Sequence, residues 1–282
     1  MELAEPDGLI HHRFQVQTGL ALHAVERAGA GEPIFLLHGI WGTWRSWLPL
    51  LHRDEGNLIT RPLLAVDFRG HGFSDKPAVG FTLADYASDL LALFNYLELD
   101  RATVVGHSLG ALVALEITAA SPDRICKLVL EEPTLPIPDR TENLQGFWEE
   151  FVEALFGLYL LKHEPHEVVV DELQRAAEEL SREAAEEGAY SIVRTADGVF
   201  AAAMDGMIST ASFDHLGMPL AIPALVFQGE RVEDRALGEE GVAMLRRILV
   251  DPVIVTLAET GHTVHNVQPD AYLRVLSEFL GY

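Results

Sequence analysis

The run Gly106-His107-Ser108-Leu109-Gly110 places one hydroxyl between two glycines. Ahead of it lies an apolar stretch, Ala102 to Val105, and behind it a helix-forming stretch, Ala111 to Ala120. A serine at so tight a strand-to-helix turn is a nucleophile elbow: the turn strains the backbone and presents Oγ at a helix N-terminus, where developing negative charge is stabilised. Gly106 and Gly110 have no Cβ to obstruct that turn. A serine hydroxyl needs a neighbouring base before it can attack an acyl carbon, and the oxyanion that forms needs two backbone N–H donors. Leu109, directly after the serine, is the first expected donor. The second is Ile40, which follows the strand-ending pair His38-Gly39. The base is expected late in the chain, after the last strand, at His262 in Glu259-Thr260-Gly261-His262. His265 is its competitor, and His38 is expected to brace its own loop.

Those residues need a sheet to hold them. Short apolar runs recur at Pro33–Leu37, Leu63–Val66, Ala102–Val105, Lys127–Leu130, Ala224–Phe227 and Pro252–Val255. Their length and lack of alternation read as strands buried on both faces. Helix patterns separate several of them, including Leu83–Leu97 behind Thr82 and Asp270–Leu280 behind Pro269. Phe14–Gln17 and Leu20–Glu26 flank Thr18-Gly19 and read as an antiparallel pair. The expected class is α/β, with a mostly parallel eight-stranded sheet. The rhythm breaks between Pro133 and Pro219. There the expectation is three helical stretches, at Thr141–Leu161, Glu167–Glu187 and Ser191–Ser209, forming a cap. The core would then comprise residues 1–132 and 216–282, and the cap residues 133–215.

Composition narrows the class further. With 282 residues, 49% hydrophobic and 22% charged, the chain fits one large globular unit and not a disordered or fibrous one. A net charge of −23 argues against nucleic acid and anionic membranes as partners. The single cysteine, Cys126, excludes an internal disulfide or a multi-cysteine metal site. His163-Glu164-Pro165-His166 has the wrong spacing for a zinc helix, so no metal is expected. The segment Met1–Asp7 lacks the basic and apolar regions of a secretory signal, so a cytoplasmic protein is expected. Homo-oligomerisation stays open.

With these motifs the chain resembles the α/β-hydrolase superfamily from about Phe14 to Leu280. Asp67-Phe68-Arg69-Gly70-His71-Gly72-Phe73-Ser74 resembles the loop after its fourth strand, and Gly261-His262 before Pro269 resembles its terminal signature. The resemblance implies an α/β-hydrolase fold and a Ser-His-acid triad without a cofactor. The superfamily's common acid position, three residues after Gly229, is Val232 here. Leu130-Glu131-Glu132-Pro133-Thr134 instead resembles the zearalenone-lactonase group, whose acid follows the sixth strand. Matching the residues puts the acid at Glu131, with Glu132, Glu230, Glu233 and Asp234 as the other candidates. Trp41, Trp148, Phe151, Phe200, Met204 and Met207 would line an apolar pocket, whereas Trp44 and Trp47 are expected to pack. A small hydrophobic ester or lactone is the expected substrate. A carbon–carbon bond hydrolase of the same fold and a ligand receptor with slow hydrolysis are the alternatives.

Overall fold

The structure, a computed structural model, describes residues 8–52, 59–135, 144–177, 180–208, 213 and 219–282; the side chains of residues 144–151 lie outside that description. Eight strands form one sheet: β1 (Leu9–Gln17), β2 (Leu20–Arg27), β3 (Ile34–Leu37), β4 (Leu63–Val66), β5 (Ala102–His107), β6 (Ile125–Glu131), β7 (Ala224–Gly229) and β8 (Val253–Leu257). Their order is β1-β2-β4-β3-β5-β6-β7-β8. The β1–β2 and β2–β4 pairs are antiparallel, and the rest are parallel.

Alternation along the central strands sends side chains to two cores. Phe35, Leu37, Val104, Leu128 and Leu130 join one, packed with α2 (Leu83–Tyr96) and α3 (Leu109–Ala120). Ile34, Leu36, Val105, Val129 and Phe227 join the other, with Trp44, Trp47 and Tyr272. Each fully buried Leu, Ile, Val or Phe contributes about 1.5–3 kcal/mol of transfer free energy, so this two-faced burial dominates the fold. The expected packing role of Trp44 and Trp47 agrees with their complete burial. A short helix α1 (Leu48–His52) follows them. Thr82 starts α2 with a capping box: its side chain accepts from Asp85 N–H, and the Asp85 carboxylate accepts from Thr82 N–H.

Between β6 and β7 the chain contains α4 (Leu144–Leu161), α5 (His166–Ala176), α6 (Arg182–Val193) and α7 (Asp197–Met204). The expected single helix over Glu167–Glu187 is therefore two. Ala177 turns extended, and the Ser181 hydroxyl accepts from Ala184 N–H to start α6 afresh. Ser191 belongs to α6, and the last helix is correspondingly shorter than Ser191–Ser209. The pair α5–α6 closes over its own small core of Val169, Val170, Ala185 and Ala189. These helices touch the sheet domain at defined points. Ala196 N–H donates to Gly70 O at 2.7 Å, and Arg45 makes a two-point ion pair with Glu187. The chain then adds α8 (Glu239–Ile248), α9 (Val264–Val267) and α10 (Pro269–Leu280). Among the described residues no helix is long and apolar enough to cross a membrane.

Candidate active site

Ser108 sits between β5 and α3 with φ 51° and ψ −114°, a conformation that L-residues avoid unless the surroundings impose it. The surroundings do so here. A Cβ at Gly106 would lie 2.3 Å from Gly110 O, and one at Gly110 would lie 2.2 Å from Leu37 O. Only glycine lets α3 start this close to β5 and β3. Ser108 N–H donates to Glu131 O at 2.9 Å, which ties the elbow to the end of β6. Leu109 is the first residue of α3, so its N–H has no acceptor within the helix.

The turn after β3 lies against this elbow. A Cβ on Gly39 would meet Ser108 Cβ at 3.3 Å and His107 Nδ1 at 3.0 Å. Gly42 N–H closes the turn onto Gly39 O at 3.0 Å. Ile40 follows Gly39 in this turn, the place in the chain expected for a second oxyanion donor. His38 is buried and braces the loop: Nδ1–H donates to Gly39 O, and Nε2 accepts from Phe68 N–H. Burial, opposed by Asp67, holds the His38 imidazole below its ordinary range, in keeping with a neutral ring having that tautomer.

His262 follows β8 in a loop shaped by close backbone approach. A Cβ on Gly229 would lie 2.4 Å from Gly261 O, and one on Gly261 would lie 2.6 Å from Asp234 Cβ. His262 is partly exposed, but its Nδ1 is buried and makes no hydrogen bond. The carboxylate approaching that nitrogen is Glu132, whose Oε2 lies 3.7 Å away. Glu132 is completely buried and has φ 47°. Its carboxylate is fixed by three backbone donors: Gly229 N–H at 2.8 Å, Ala236 N–H at 2.6 Å and Leu237 N–H at 2.9 Å.

The expectation that Glu131 faces His262 is corrected here. Glu131 Oε1 and Oε2 lie 2.8 and 2.7 Å from His265 Nδ1, and Oε1 also accepts from His265 N–H at 3.0 Å. Adjacent residues of an extended strand point to opposite faces, but the positive φ of Glu132 re-aims its side chain past the strand end. His265 is buried, stacks on Trp47 at 4.3 Å, and donates from Nε2 to Ser46 O at 2.9 Å. Burial would raise the Glu131 carboxyl, but His265 outweighs it and holds the carboxyl below the usual carboxylate range. The remaining acid candidates point elsewhere. Glu230 accepts from Glu259 N–H at 3.0 Å, Asp234 pairs with Arg231 at 3.1 Å, and Glu233 is exposed.

Of the residues expected to line a pocket, Trp41 and Phe200 meet, with parallel rings 6.3 Å apart. Trp41 holds φ 46°, and Phe200 is buried under Tyr159. Met204 and Met207 are partly buried against the same core. Met207 also lines a groove of about 640 Å³ between the 78–84 loop and α7, where Phe81, Ala201, Glu116 and Asp205 contribute. Ser108 does not line that groove, so it is not the catalytic cleft by this geometry. The side chains of Trp148 and Phe151 lie outside the described residues.

The model of a family described as the alpha/beta hydrolase family matches residues 34–275. A 2-(acetamidomethylene)succinate hydrolase from Mesorhizobium japonicum is 29% identical over 273 residues, covering 94% of each chain. A 2-hydroxy-6-oxo-2,4-heptadienoate hydrolase from Pseudomonas putida is 25% identical, covering 89% of this chain and 90% of its own. The crystal structure of an E-2-(acetamidomethylene)succinate hydrolase superposes with a TM-score of 0.77 at 24% identity, covering 97% of this chain and 100% of that one.

Proposed function

From the premise that this chain belongs to the alpha/beta hydrolase family, we propose that it is a serine hydrolase acting on a hydrophobic carboxylic ester or lactone. The observation that carries the reading is the strained elbow at Ser108, packed between the α3 N-terminus and the Gly39 turn. Strain of this kind persists where the fold over-determines it, and here it holds a serine at the N-terminus of α3 against the Gly39 turn. In the proposed reaction His262 takes the Ser108 proton and Oγ attacks the acyl carbon. Ile40 and Leu109 N–H groups hold the oxyanion. His262 then protonates the leaving oxygen and activates water against the acyl-enzyme. Glu132, and not Glu131, is the acid of this triad. It faces Nδ1 of His262, and its three backbone donors hold it in place. Closing 3.7 Å to hydrogen-bonding distance requires a shift of under about 1 Å in a partly exposed ring, a normal tightening on substrate binding.

The helices α4 to α7 act as the cap in this reading, and the Trp41–Phe200 contact is one point where cap and oxyanion turn meet. Its apolar character supports a neutral acyl group over a small or anionic one. The test is a panel of p-nitrophenyl esters and lactones under multiple-turnover conditions. Medium and aromatic acyl groups should show higher kcat/KM than acetate or anionic esters. Clear preference for small or charged esters would overturn the apolar pocket. A stoichiometric burst without cycling would make the protein a receptor instead. A second reading, carbon–carbon bond hydrolysis, is favoured by the near full-length likeness to the Pseudomonas putida enzyme. It predicts cleavage of a 2-hydroxy-6-oxo-dienoate, followed by loss of the chromophore, at a rate exceeding that on any ester.

A further inference from the structure

His107 and Glu131 are direct partners in the parallel register of β5 and β6, so they form one rung of the sheet. Each takes hold of the loop that carries His262. At one end His107 Nε2 lies 2.9 Å from His262 O. At the other Glu131 Oε1 accepts from His265 N–H at 3.0 Å and binds the His265 ring. A carbonyl can only accept, so His107 must carry its proton on Nε2. Burial, opposed by Glu131 and reinforced by His262 and His265, pushes the His107 imidazole down to about 3. The ring is therefore neutral at working pH and adds no repulsion when His262, 4.8 Å away centre to centre, becomes an imidazolium. The same ring also abuts the oxyanion turn, since a Cβ on Gly39 would stand 3.0 Å from its Nδ1.

We propose that the His107–Glu131 rung is a two-point clamp that sets the position of the His262 loop against Ser108, with His107 as the positioning residue nearest the chemistry. This rests on the serine-hydrolase reading above. The rung lies at the C-terminal ends of two central strands, the most rigid mount available, and Ser108 N–H is tied to the same Glu131 through its carbonyl. Elbow, oxyanion turn and base loop thus share one fixed reference. Neither His107 nor Glu131 need touch substrate. A misplacement of about 1 Å at the base is enough to cost a hundredfold in rate.

The test compares His107→Leu with His107→Gln, whose amide nitrogen reaches about as far as Nε2 and still donates to the His262 carbonyl. For the proposal, kcat on the best ester falls roughly tenfold or more in His107→Leu with KM nearly unchanged, and His107→Gln stays within about threefold of the parent. The rate at which a fluorophosphonate probe labels Ser108 should fall and recover in the same proportions. Parental activity in His107→Leu overturns the clamp. So does a folded His107→Gln as impaired as His107→Leu, which would mean that ring packing and not the donor matters. Circular dichroism verifies folding; if His107→Leu does not fold, His107→Gln decides alone, and its failure to fold or to turn over overturns the proposal. Ser108→Ala is the separate control. Turnover by that variant removes the serine mechanism and the clamp together, whereas the outcomes above remove the clamp alone.

Discussion

Two adjacent glutamates, one strand end and one backbone angle decide which carboxylate faces His262. Glu131 ends β6 in the sheet and turns to His265; Glu132, with φ 47°, leaves the strand and faces His262 Nδ1. Glu132→Gln should lower kcat on the order of a hundredfold or more, because an amide stabilises neither the tautomer nor the imidazolium. Glu131→Gln should lower kcat less but cost about 2–3 kcal/mol of stability, since it breaks a fully buried pair. Paired kcat and urea-midpoint measurements check the ranking; a larger kcat loss in Glu131→Gln would return the triad acid to Glu131. Ser108→Ala should reduce turnover on the order of a thousandfold or more. Its melting temperature should be unchanged or higher, since the substitution leaves the elbow's backbone tie from Ser108 N–H to Glu131 O in place; residual activity at the parental level would end the serine mechanism.

At the scale of elements, the inserted helices join the sheet domain through a shared apolar core, to which they contribute Leu155, Ile192, Val199 and Phe200, and through polar and aromatic contacts beside it. Arg45 is a polar fastener between α6 and the sheet domain. It is buried, lies over the Trp44 and Tyr190 rings, and pairs through Nε and Nη2 with Glu187 on α6. Arg194 lies over the same Tyr190 ring at 3.7 Å and over the Phe73 ring at 5.6 Å. Glu187 is about a third exposed, so the pair is partly screened. Glu187→Ala should cost about 1–2 kcal/mol and open α5–α6 to proteolysis before the sheet domain. Limited trypsin digestion with mass mapping reads this directly, and an unchanged cleavage order would show that Arg45 is not what holds these helices down.

At the scale of the molecule, several histidines are buried in a neutral form. Burial pushes His71 down to about 3, as it does for His107. The unfolded chain takes up protons at both positions as pH falls through 6.5, the ordinary histidine value, while the folded protein refuses them until about 3. Stability is therefore full above 6.5 and falls as pH drops below it, with a limiting slope of about 1.4 kcal/mol per pH unit for each such histidine. Urea unfolding from pH 7.5 to 5, in salt sufficient to screen the net charge of −23, should show this decline. His107→Gln should make it shallower. A flat profile would mean that these rings are protonated in the folded state.

Local physics made much of this protein legible in its sequence. The unbroken apolar runs could satisfy themselves only as doubly covered strands, and Gly-x-Ser-x-Gly between strand and helix could close only as the elbow seen at Ser108. The break within Glu167–Glu187 also had a local signal, Ser181 as an N-cap, which the helical periodicity on both sides concealed. The placement of the acid had none. Glu131 and Glu132 are chemically identical neighbours, and which one meets His262 depends on where β7 and the 236–237 segment place their N–H groups and on what His265 occupies first. His107 likewise reads as the variable position of a motif until the β8 loop folds back to set a carbonyl 2.9 Å from its ring. Contacts between segments more than a hundred residues apart are decided by the whole packed chain, because no local preference distinguishes one carboxylate or one imidazole from the next.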